Sequence, residues 1–268
     1  MALSKKLTRL KNIISGMHSC LIAFSGGTDS SFLLKVASDI LPKDKLLAVT
    51  ADSATYPRQE LVLAKAMAGR LGARHKIIRT HELRDRRFVS NPPERCYFCK
   101  KELFGRLKKI AAQLNFNFVA DASNLSDSDD FRPGNIAKQR FKVRSPLAEA
   151  GLTKQEIRAL SKRAGLATWD KPALACLASR IPYGRKISLQ LLKRIDRAEI
   201  IIKRMGFRQV RVRDYDNYCR IEVSKKDLAR LVTKGNQIVD RLKKLGYNCI
   251  SLDLEGYQSG KMNAKSHS

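Results

Sequence analysis

Two spacings of apolar residues alternate along the first two-thirds of the chain. Longer segments with apolar residues at helical spacing separate the short apolar runs typical of buried strands. The runs lie at 19–24, 46–51, 75–80, 116–122 and 142–147. Strands that alternate with helices predict a parallel sheet wrapped on both faces. In such sheets, ligands bind beyond the carboxyl ends of the strands.

The pattern changes after about residue 185. A long helix is predicted over 188–206, and the two segments "QVRVR" and "CRIEV" then alternate as strands, with Arg220 and Glu222 on the polar face of the second. One further helix across 227–246 and a strand at 249–256 complete a small two-layer α+β unit. We therefore predict an α/β protein with a doubly wound parallel sheet and a small C-terminal α+β domain. The predicted segments are a main domain at 1–185, a small domain at 186–260 and a flexible tail at 261–268.

Charge is the unusual feature of the composition. The 268 residues include 53 Lys and Arg against 25 Asp and Glu, a formal net charge of +28. Such a field attracts polyanions, which include nucleotides, phosphorylated small molecules and RNA, and a lysine-rich surface with no polyanionic partner is the alternative. No apolar stretch approaches the length of a membrane span, and the first residues hold no long apolar signal region. We expect a cytoplasmic protein that does not bind a membrane.

Six cysteines are scattered through the chain, which favours reduced thiols over a disulfide framework. Three of them, Cys20, Cys219 and Cys249, fall in strand-like segments and are interpreted as packing residues, with a polar face as the alternative for Cys249. The pair Cys96 and Cys99 forms a CxxC motif just before a basic helix. This motif indicates metal or redox chemistry, and simple packing beside aromatic neighbours is the alternative.

A glycine loop connects the first strand to the first long helix after it, in the string "IAFSGGTDSSFLL". Its candidate anion-binding residues are Ser25, Gly26, Gly27, Thr28, Asp29 and Ser30. Glycines let backbone N–H groups approach an anion, and the new helix adds unpaired donors and the positive end of its dipole. An aspartate beside phosphates indicates a magnesium ligand or a residue that orients the loop. The Gly-Lys-Ser/Thr ending of the common P-loop is absent, and an ordinary capped turn is the alternative.

The complete SGGTDS string resembles the pyrophosphatase-type loop, or PP-loop, of the adenine nucleotide alpha hydrolase superfamily. Members of that superfamily split ATP between its α and β phosphates and adenylate an oxygen of a substrate. The resemblance implies that adenine lies near the end of the second strand, where Asp52 is a candidate contact.

An acidic segment, "DASNLSDSDDFRPG", follows the strand predicted at 116–122. Its polar residues are Asp121, Asn124, Asp127, Asp129 and Asp130, with Arg132 among them. They could bind magnesium or position a nucleotide, and an acidic surface loop with Asx turns is the alternative. Asp121 and Asn124 are the residues we predict for the nucleotide site.

The chain as a whole resembles the ATP-dependent sacrificial sulfur transferases that help to build the nickel-pincer nucleotide of lactate racemase. The strings that carry the resemblance are SGGTDS, "RCYFCK", "DASNLSDSDDFRPG", "SPLAEAGLTKQEIR", "WDKPALACLASRIPYG", "RVRDYDNYCRIEV" and "LDLEGYQSGKMN". Enzymes of this family convert carboxylates of a pyridinium mononucleotide into thiocarboxylates. ATP adenylates the carboxylate, a sulfur attacks and AMP leaves. The resemblance thus implies ATP and Mg²⁺ as cofactors.

The resemblance assigns the sulfur to Cys176. In some members the cysteine at this position gives up its own sulfur and becomes dehydroalanine, whereas others carry three cysteines that hold a [4Fe–4S] cluster. Cys96, Cys99 and Cys176 match the second pattern. Three thiolates would leave one iron free to take an external sulfide. Ser179 and Arg180 are then expected to hold an anionic substrate or AMP.

The resemblance extends to the small domain. Arg211 and Arg213 share a strand face, and the family uses arginines here for the substrate phosphate, near a subunit contact; Glu199 and Glu222 are further candidates. A solvated polar face is the alternative. Where family patterns carry arginine in the closing segment, this chain has Gln258, and a neutral amide cannot replace a guanidinium on phosphate. The implied assembly is a homo-oligomer, trimers or hexamers, with sulfide or a sulfur-donor protein as a further partner.

Three other functions are compatible with parts of the pattern. An iron–sulfur tRNA thiolase would explain the charge, although no second CxxC or appended zinc module is present, and RNA binding with a steep salt dependence would favour it. An amidotransferase-type ATP pyrophosphatase would leave the three cysteines unexplained. A non-catalytic nucleotide- or RNA-binding protein would release no pyrophosphate.

Overall fold

The computed structural model describes residues 2–127, 133–258 and 261. The predicted site residues Asp129, Asp130 and Arg132 lie outside the described residues, as does the predicted tail apart from Lys261. The described strands are β1 (Cys20–Ala23), β2 (Leu46–Asp52), β3 (Arg74–Arg79), β4 (Phe118–Ala120), β5 (Val210–Tyr215), β6 (Tyr218–Val223) and β7 (Cys249–Leu252). The described α-helices are α1 (Leu3–Ser15), α2 (Thr28–Ser38), α3 (Arg58–Arg70), α4 (Arg86–Val89), α5 (Arg95–Gln113), α6 (Gly134–Arg140), α7 (Pro146–Glu149), α8 (Lys154–Arg163), α9 (Leu189–Arg204), α10 (Leu228–Thr233) and α11 (Gly235–Lys243).

The chain divides into two compact units. The first comprises the residues up to Phe88 together with Pro93–Leu174, and the second comprises Val89–Pro92 and the residues from Ala175 onward. The Cys176 segment therefore belongs to the second unit. The boundary that the sequence predicts between the main domain and the small domain, at residues 185 and 186, stays a prediction.

The first unit is built on a four-stranded parallel sheet in the order β3-β2-β1-β4. Ile22 of β1 lies opposite Ala48 of β2 and Ala120 of β4. Parallel strands need crossover connections, and helices supply them here. The doubly wound α/β fold predicted from the sequence is confirmed.

Strands β1, β2 and β4 are buried on both faces, which explains why they read as continuous apolar runs, whereas the edge strand β3 is largely exposed. On one face Cys20 and Ile22 pack with α1, α2, α3 and α8. On the other face Leu21, Leu47 and Val49 pack with α5 and α6. Successive side chains of a strand point to opposite faces, so one short run supplies both cores.

Two predicted elements of this unit differ from the structure. The strand predicted at 142–147 is reduced to one bridge between Ala120 and Arg144, because Pro146 has no N–H for a ladder and instead occupies the first turn of α7. Helix α5 begins at Arg95, so Cys96 and Cys99 are its second and fifth residues and lie inside the helix, not before it.

The second unit is built on a mixed three-stranded sheet. Strands β5 and β6 are antiparallel, and β6 and β7 are parallel. Val210 and Val212 of β5 pack with Leu242 and Tyr247 in its core. The predicted α+β unit is confirmed, but the helix predicted across 227–246 is interrupted at Lys234, beside Gly235, because glycine is a poor helix former.

Within the described ranges, no helix is both long enough and apolar enough to cross a membrane.

Candidate functional site

The glycine loop lies at the carboxyl end of β1, where α2 begins at Thr28 with Gly27 as its N-cap residue. Gly26 has a φ of +62°, in the left-handed region that favours glycine. A Cβ on Gly26 would lie 2.8 Å from the Cα of Ala64 on α3. The sequence needs glycine here for two reasons, backbone conformation and space.

Hydroxyl groups line the loop and bond to it. The hydroxyls of Ser25 and Ser30 lie 3.1 Å apart, and Ser30 Oγ also donates to the carbonyl oxygen of Gly27 at 3.2 Å. Thr28 points away from the loop and donates to the Thr168 carbonyl oxygen at 2.7 Å. The hydroxyls of Ser25 and Ser30 therefore stay at the loop, where a phosphate is predicted, while Thr28 anchors the helix.

Asp29 lies in the first turn of α2 and forms an ion pair with Lys154 of α8. Its Oδ1 atom is buried and accepts no hydrogen bond from the described residues. Burial raises the pKa of this carboxyl, and the positive charge of Lys154 opposes the rise. A buried carboxylate oxygen without a donor suits a magnesium ion that arrives with a nucleotide.

Sequence reasoning missed the residues that hold the loop from outside. Lys171 Nζ donates to the carbonyl oxygen of Gly26 at 3.0 Å and lies 2.6 Å from Glu60 Oε2. The hydroxyl of Tyr56 donates to the carbonyl oxygen of Ser25. The only sequence signal for Lys171 is its place in the string "WDKPALAC".

Asp121 lies directly after β4, at the same edge of the sheet as the glycine loop. It is buried and accepts hydrogen bonds from Ser145 Oγ at 2.7 Å and Ser123 Oγ at 2.8 Å. Lys100 Nζ lies 3.7 Å from its Oδ2 atom and Lys138 Nζ lies 4.0 Å away. The predicted nucleotide residue is thus the centre of a basic cluster.

Asn124 is buried, and its N–H donates to the Asp127 carboxylate three residues later, at 3.0 Å from Oδ2. The Asx turn that the sequence left open as an alternative lies at Asp121, whose Oδ1 atom accepts from the Ser123 N–H at 3.2 Å. Asp52 ends β2 with its side chain about half exposed, 3.9 Å from Arg79 Nε. Asp52 is the last residue of β2, and Asn124 comes after the end of β4 in the same parallel sheet. Their contact with adenine stays a prediction.

The Cys176 segment is held by a buried ion pair of the second unit. Arg180 is 0% exposed, and its guanidinium donates to both carboxylate oxygens of Glu199, at 2.8 and 3.1 Å. It also donates to the carbonyl oxygens of Ala175 and Cys176 at 2.8 and 2.9 Å. Burial would raise the pKa of Glu199, but Arg180 holds it below its usual range.

Ser179 closes the same turn. Its hydroxyl donates to the carbonyl oxygen of Cys176 at 2.7 Å and accepts from Arg180 at 3.0 Å. Cys176 itself is half-buried and precedes the short 3-10 helix Leu177–Arg180. The structure therefore brings the three predicted residues into one network in which Arg180 positions the backbone that carries the thiol.

Arg211 and Arg213 are buried, each 4% exposed, so the polar face predicted for β5 is not a solvated one. Arg213 donates to both oxygens of Glu222, at 2.9 and 2.6 Å, and to the Ser179 carbonyl oxygen at 2.9 Å. Arg211 lies over the ring of Tyr257, 5.0 Å from its centre. Burial and the neighbouring charge of Arg180 lower the pKa of Arg211. Gln258, which departs from the family pattern, is exposed.

The three predicted cluster cysteines belong to different units. Cys96 is exposed and Cys99 half-buried at the start of α5 in the first unit, and Cys176 is in the second. A helix N-terminus favours the thiolate form that iron requires. Within either unit, the described residues contain no group of three His, Cys, Asp or Glu side chains that could hold a metal ion.

The parallel sheet and the glycine loop at the end of its β1 strand define an α/β protein of the PP-loop class. No protein-family profile matches the chain. The chain is 33% identical over 261 residues to pyridinium-3,5-bisthiocarboxylic acid mononucleotide synthase of Lactiplantibacillus plantarum, covering 97% of this chain and 95% of that protein. The chain belongs to the family of this synthase, as its motifs predicted.

Two uncharacterized relatives also match over almost their full length. A protein of Synechocystis sp. is 41% identical over 263 residues, which cover 97% of this chain and 98% of the relative. A protein of Methanocaldococcus jannaschii is 30% identical over 262 residues, which cover 97% of this chain and 100% of the relative.

Proposed function

We propose that this protein is an ATP-dependent sulfur transferase that converts carboxylates of a pyridinium biscarboxylate mononucleotide into thiocarboxylates. The observation that carries the proposal is the glycine loop, with Gly26 packed against Ala64 at the carboxyl end of a parallel strand. The relationship to a synthase of the bisthiocarboxylic acid mononucleotide supports the same substrate class.

In the first step, a substrate carboxylate attacks the α-phosphorus of ATP and pyrophosphate leaves. The N-terminus of α2 and the hydroxyls of Ser25 and Ser30 would bind the departing pyrophosphate, whose negative charge grows as the bond breaks. Asp29 would hold the magnesium ion, since its Oδ1 atom accepts no hydrogen bond from the described residues. Asp52, Asp121 and Asn124 remain the candidates for the nucleoside.

In the second step, the sulfur of Cys176 attacks the acyl-adenylate and AMP leaves. Loss of the Cα proton of Cys176 and cleavage of its Cβ–S bond then release the thiocarboxylate and leave dehydroalanine. Arg180 donates to the carbonyl oxygen of Cys176 itself and so fixes the peptide that presents the thiol. Ser179 closes the same turn.

A catalytic version of this reaction would use a [4Fe–4S] cluster held by Cys96, Cys99 and Cys176. The donor chemistry suits such a cluster, because two thiols share one helical turn at a helix N-terminus and the third is half-buried. When bound, the cluster would supply an external sulfide in place of the cysteine sulfur.

The substrate phosphate is proposed to bind at Arg211, with Arg213, Glu199 and Glu222 supporting it. Burial and the charge of Arg180 lower the pKa of Arg211, and an anion bound there would oppose both effects. The structure gives Arg213 a bidentate carboxylate partner, which suits a supporting role better than a direct one.

Further parts of the proposal concern location and partners. They are a cytoplasmic location, a homo-oligomer such as a trimer or hexamer, and sulfide or a sulfur-donor protein as the sulfur source. RNA as a partner is supported only by the net charge of +28.

The test is to incubate the protein with ATP, Mg²⁺ and the pyridinium biscarboxylate mononucleotide, and to measure thiocarboxylate by mass spectrometry together with AMP and pyrophosphate. We expect Cys176→Ala to abolish thiocarboxylate formation while pyrophosphate is still released. The matched control is Cys249→Ala, which removes an exposed thiol of the same unit. Thiocarboxylate formation by Cys176→Ala at the rate of the unaltered protein would refute the proposed role of Cys176.

Iron and acid-labile sulfide, measured per chain after anaerobic reconstitution, separate the two modes. Loss of all iron in each of the three cysteine variants would support the cluster. Absence of iron together with dehydroalanine at position 176 would support the sacrificial reaction.

A further inference from the structure

We propose that Lys171 is a positioning residue for ATP, acting through the backbone of the glycine loop. Its Nζ atom contacts two groups. It lies 3.0 Å from the carbonyl oxygen of Gly26 and 2.6 Å from Oε2 of Glu60. The inference rests on the proposed function, since it assigns a role in ATP binding.

The geometry of the peptide bond explains how a lysine on one side of the loop can orient a donor on the other side. In a trans peptide the C=O of one residue and the N–H of the next point in opposite directions. A cation that holds the Gly26 oxygen therefore directs the Gly27 N–H to the other side of the loop. That N–H donates to Ser25 Oγ at 3.4 Å, and this hydrogen bond is long enough for an anion to replace it.

The charge of Lys171 is directed at the carbonyl and not at solvent. Its side chain is 16% exposed and that of Glu60 is 12% exposed, with the ammonium 2.6 Å from the carboxylate. The pair is neutral as a whole, so it orders the loop without adding a strong field of its own. A charge-assisted hydrogen bond to a backbone carbonyl is worth more than a neutral one.

Two further contacts fix the segment from which Lys171 extends. Thr28 Oγ1 donates to the carbonyl oxygen of Thr168 at 2.7 Å, and Arg158 donates to the carbonyl oxygen of Lys171 at 3.2 Å. The loop and this segment are thus fastened together at Gly26 and at Thr28. On the opposite side Ala64 fills the space beside Gly26.

The first test compares Lys171→Met, Lys171→Arg and the unaltered protein in binding Mg-ATP by calorimetry and in ATP-dependent pyrophosphate release. We expect Lys171→Met to raise the Kd and KM for ATP about ten- to a hundredfold, because one charge-assisted hydrogen bond is lost. The kcat should change less than KM. Lys171→Arg keeps a cationic donor. We expect it to recover at least a third of the change in log Kd for ATP that Lys171→Met causes.

Lys6→Met is the matched control. Lys6 is 15% exposed and pairs with Glu156 at 2.8 Å in the same unit, without touching the loop. Equal losses of ATP affinity in Lys6→Met and Lys171→Met would mean that Lys171 contributes to the stability of the fold alone, and would overturn the proposal. Failure of Lys171→Arg to recover ATP affinity would overturn it too. So would a Kd for ATP within twofold of that of the unaltered protein in Lys171→Met.

Glu60→Gln keeps the lysine and serves if Lys171→Met does not fold. We expect it to weaken ATP binding two- to fivefold, because Lys171 loses the partner that holds it at Gly26. Tighter ATP binding would mean that the ammonium acts on phosphate directly, and the proposal would be wrong. If the unaltered protein binds no ATP, the proposed function itself fails, which distinguishes the two results.

Discussion

The glycine loop and the Cys176 segment both depend on positively charged side chains, but these side chains are used in opposite ways. In the first unit Lys154 and Lys171 hold the loop from its periphery, and the Gly27 N–H makes a long hydrogen bond of 3.4 Å to Ser25 Oγ. In the second unit Arg180 is completely buried and committed to Glu199 and to backbone carbonyls.

The difference shows what a charge in a sequence motif can mean. A loop that binds phosphate needs donors that are unsatisfied until the ligand arrives, so its cations stay at the edge. A segment that presents a thiol needs a fixed backbone, and a buried bidentate ion pair supplies it at the cost of desolvation. Arg180, which the sequence placed beside a cysteine, therefore fixes the backbone of the Cys176 segment through its bonds to Glu199 and to carbonyl oxygens.

The largest expected effect is the difference in reactivity between the buried and the exposed cysteine thiols of each unit. Burial raises the pKa of Cys20 and of Cys219 to about 12 from 9.0, so at neutral pH each carries about a thousandfold less thiolate than an unperturbed thiol. We expect iodoacetamide to label the exposed Cys96 and Cys249 in the native protein at pH 8 and to leave Cys20 and Cys219 unlabelled, as peptide mass spectrometry would reveal.

The same thiols predict a pH dependence with a definite sign. The unfolded chain ionises them above pH 9, whereas the folded protein keeps them protonated until about pH 12, so their contribution to stability declines across that interval. Labelling in denaturant is the control, since all six cysteines should then react. Equal native labelling of Cys219 and Cys249 would contradict the buried core of the second unit.

A smaller but still large effect is expected from the ion pair that holds the Cys176 segment. Glu199→Gln leaves the charge of Arg180 buried without its carboxylate and should lower the free energy of unfolding by about 3–5 kcal/mol. Chemical denaturation measures this value. Asp39→Asn, which removes the exposed pair with Lys35, should cost only about 0.3–0.5 kcal/mol. Comparable losses in the two variants would mean that Arg180 finds other partners.

The smallest expected effect is the difference between two costs of adding a Cβ to a glycine: the strain of a positive φ, and the clash with a neighbouring atom. Gly26→Ala meets both a φ of +62° and a Cα atom of Ala64 at 2.8 Å. Gly72→Ala meets a φ of +64° with nothing within 4 Å, so it should cost only the backbone strain of about 1 kcal/mol. We expect Gly26→Ala to cost about 2–3 kcal/mol in thermal or chemical unfolding. If both variants lose the same stability, the contact with Ala64 has no energetic weight.

Much of the fold followed from local pattern. The strands β1, β2 and β4 read as apolar runs because both faces of the sheet are buried, and the alternation at Val210 and Val212 marked β5. The exception at 142–147 shows the limit of an apolar pattern, because Pro146 favours the start of a helix over a ladder of hydrogen bonds.

The sequence by itself determined the glycine loop, because a Gly-Gly pair between a buried strand and a helix has few other uses. It also determined the positions of the cysteines and the two-part organisation of the chain. Only the tertiary structure decided the partners: that Lys171 meets Gly26, that Arg180 meets Glu199, and that Arg213 meets Glu222. Lys171 and Gly26 are separated by 145 positions in the chain. Arg213 and Glu222 share a face of the second sheet, and the exposure of that face depends on what packs against it. Local pattern fixes the direction of a side chain, but burial and charge pairing are properties of the folded whole.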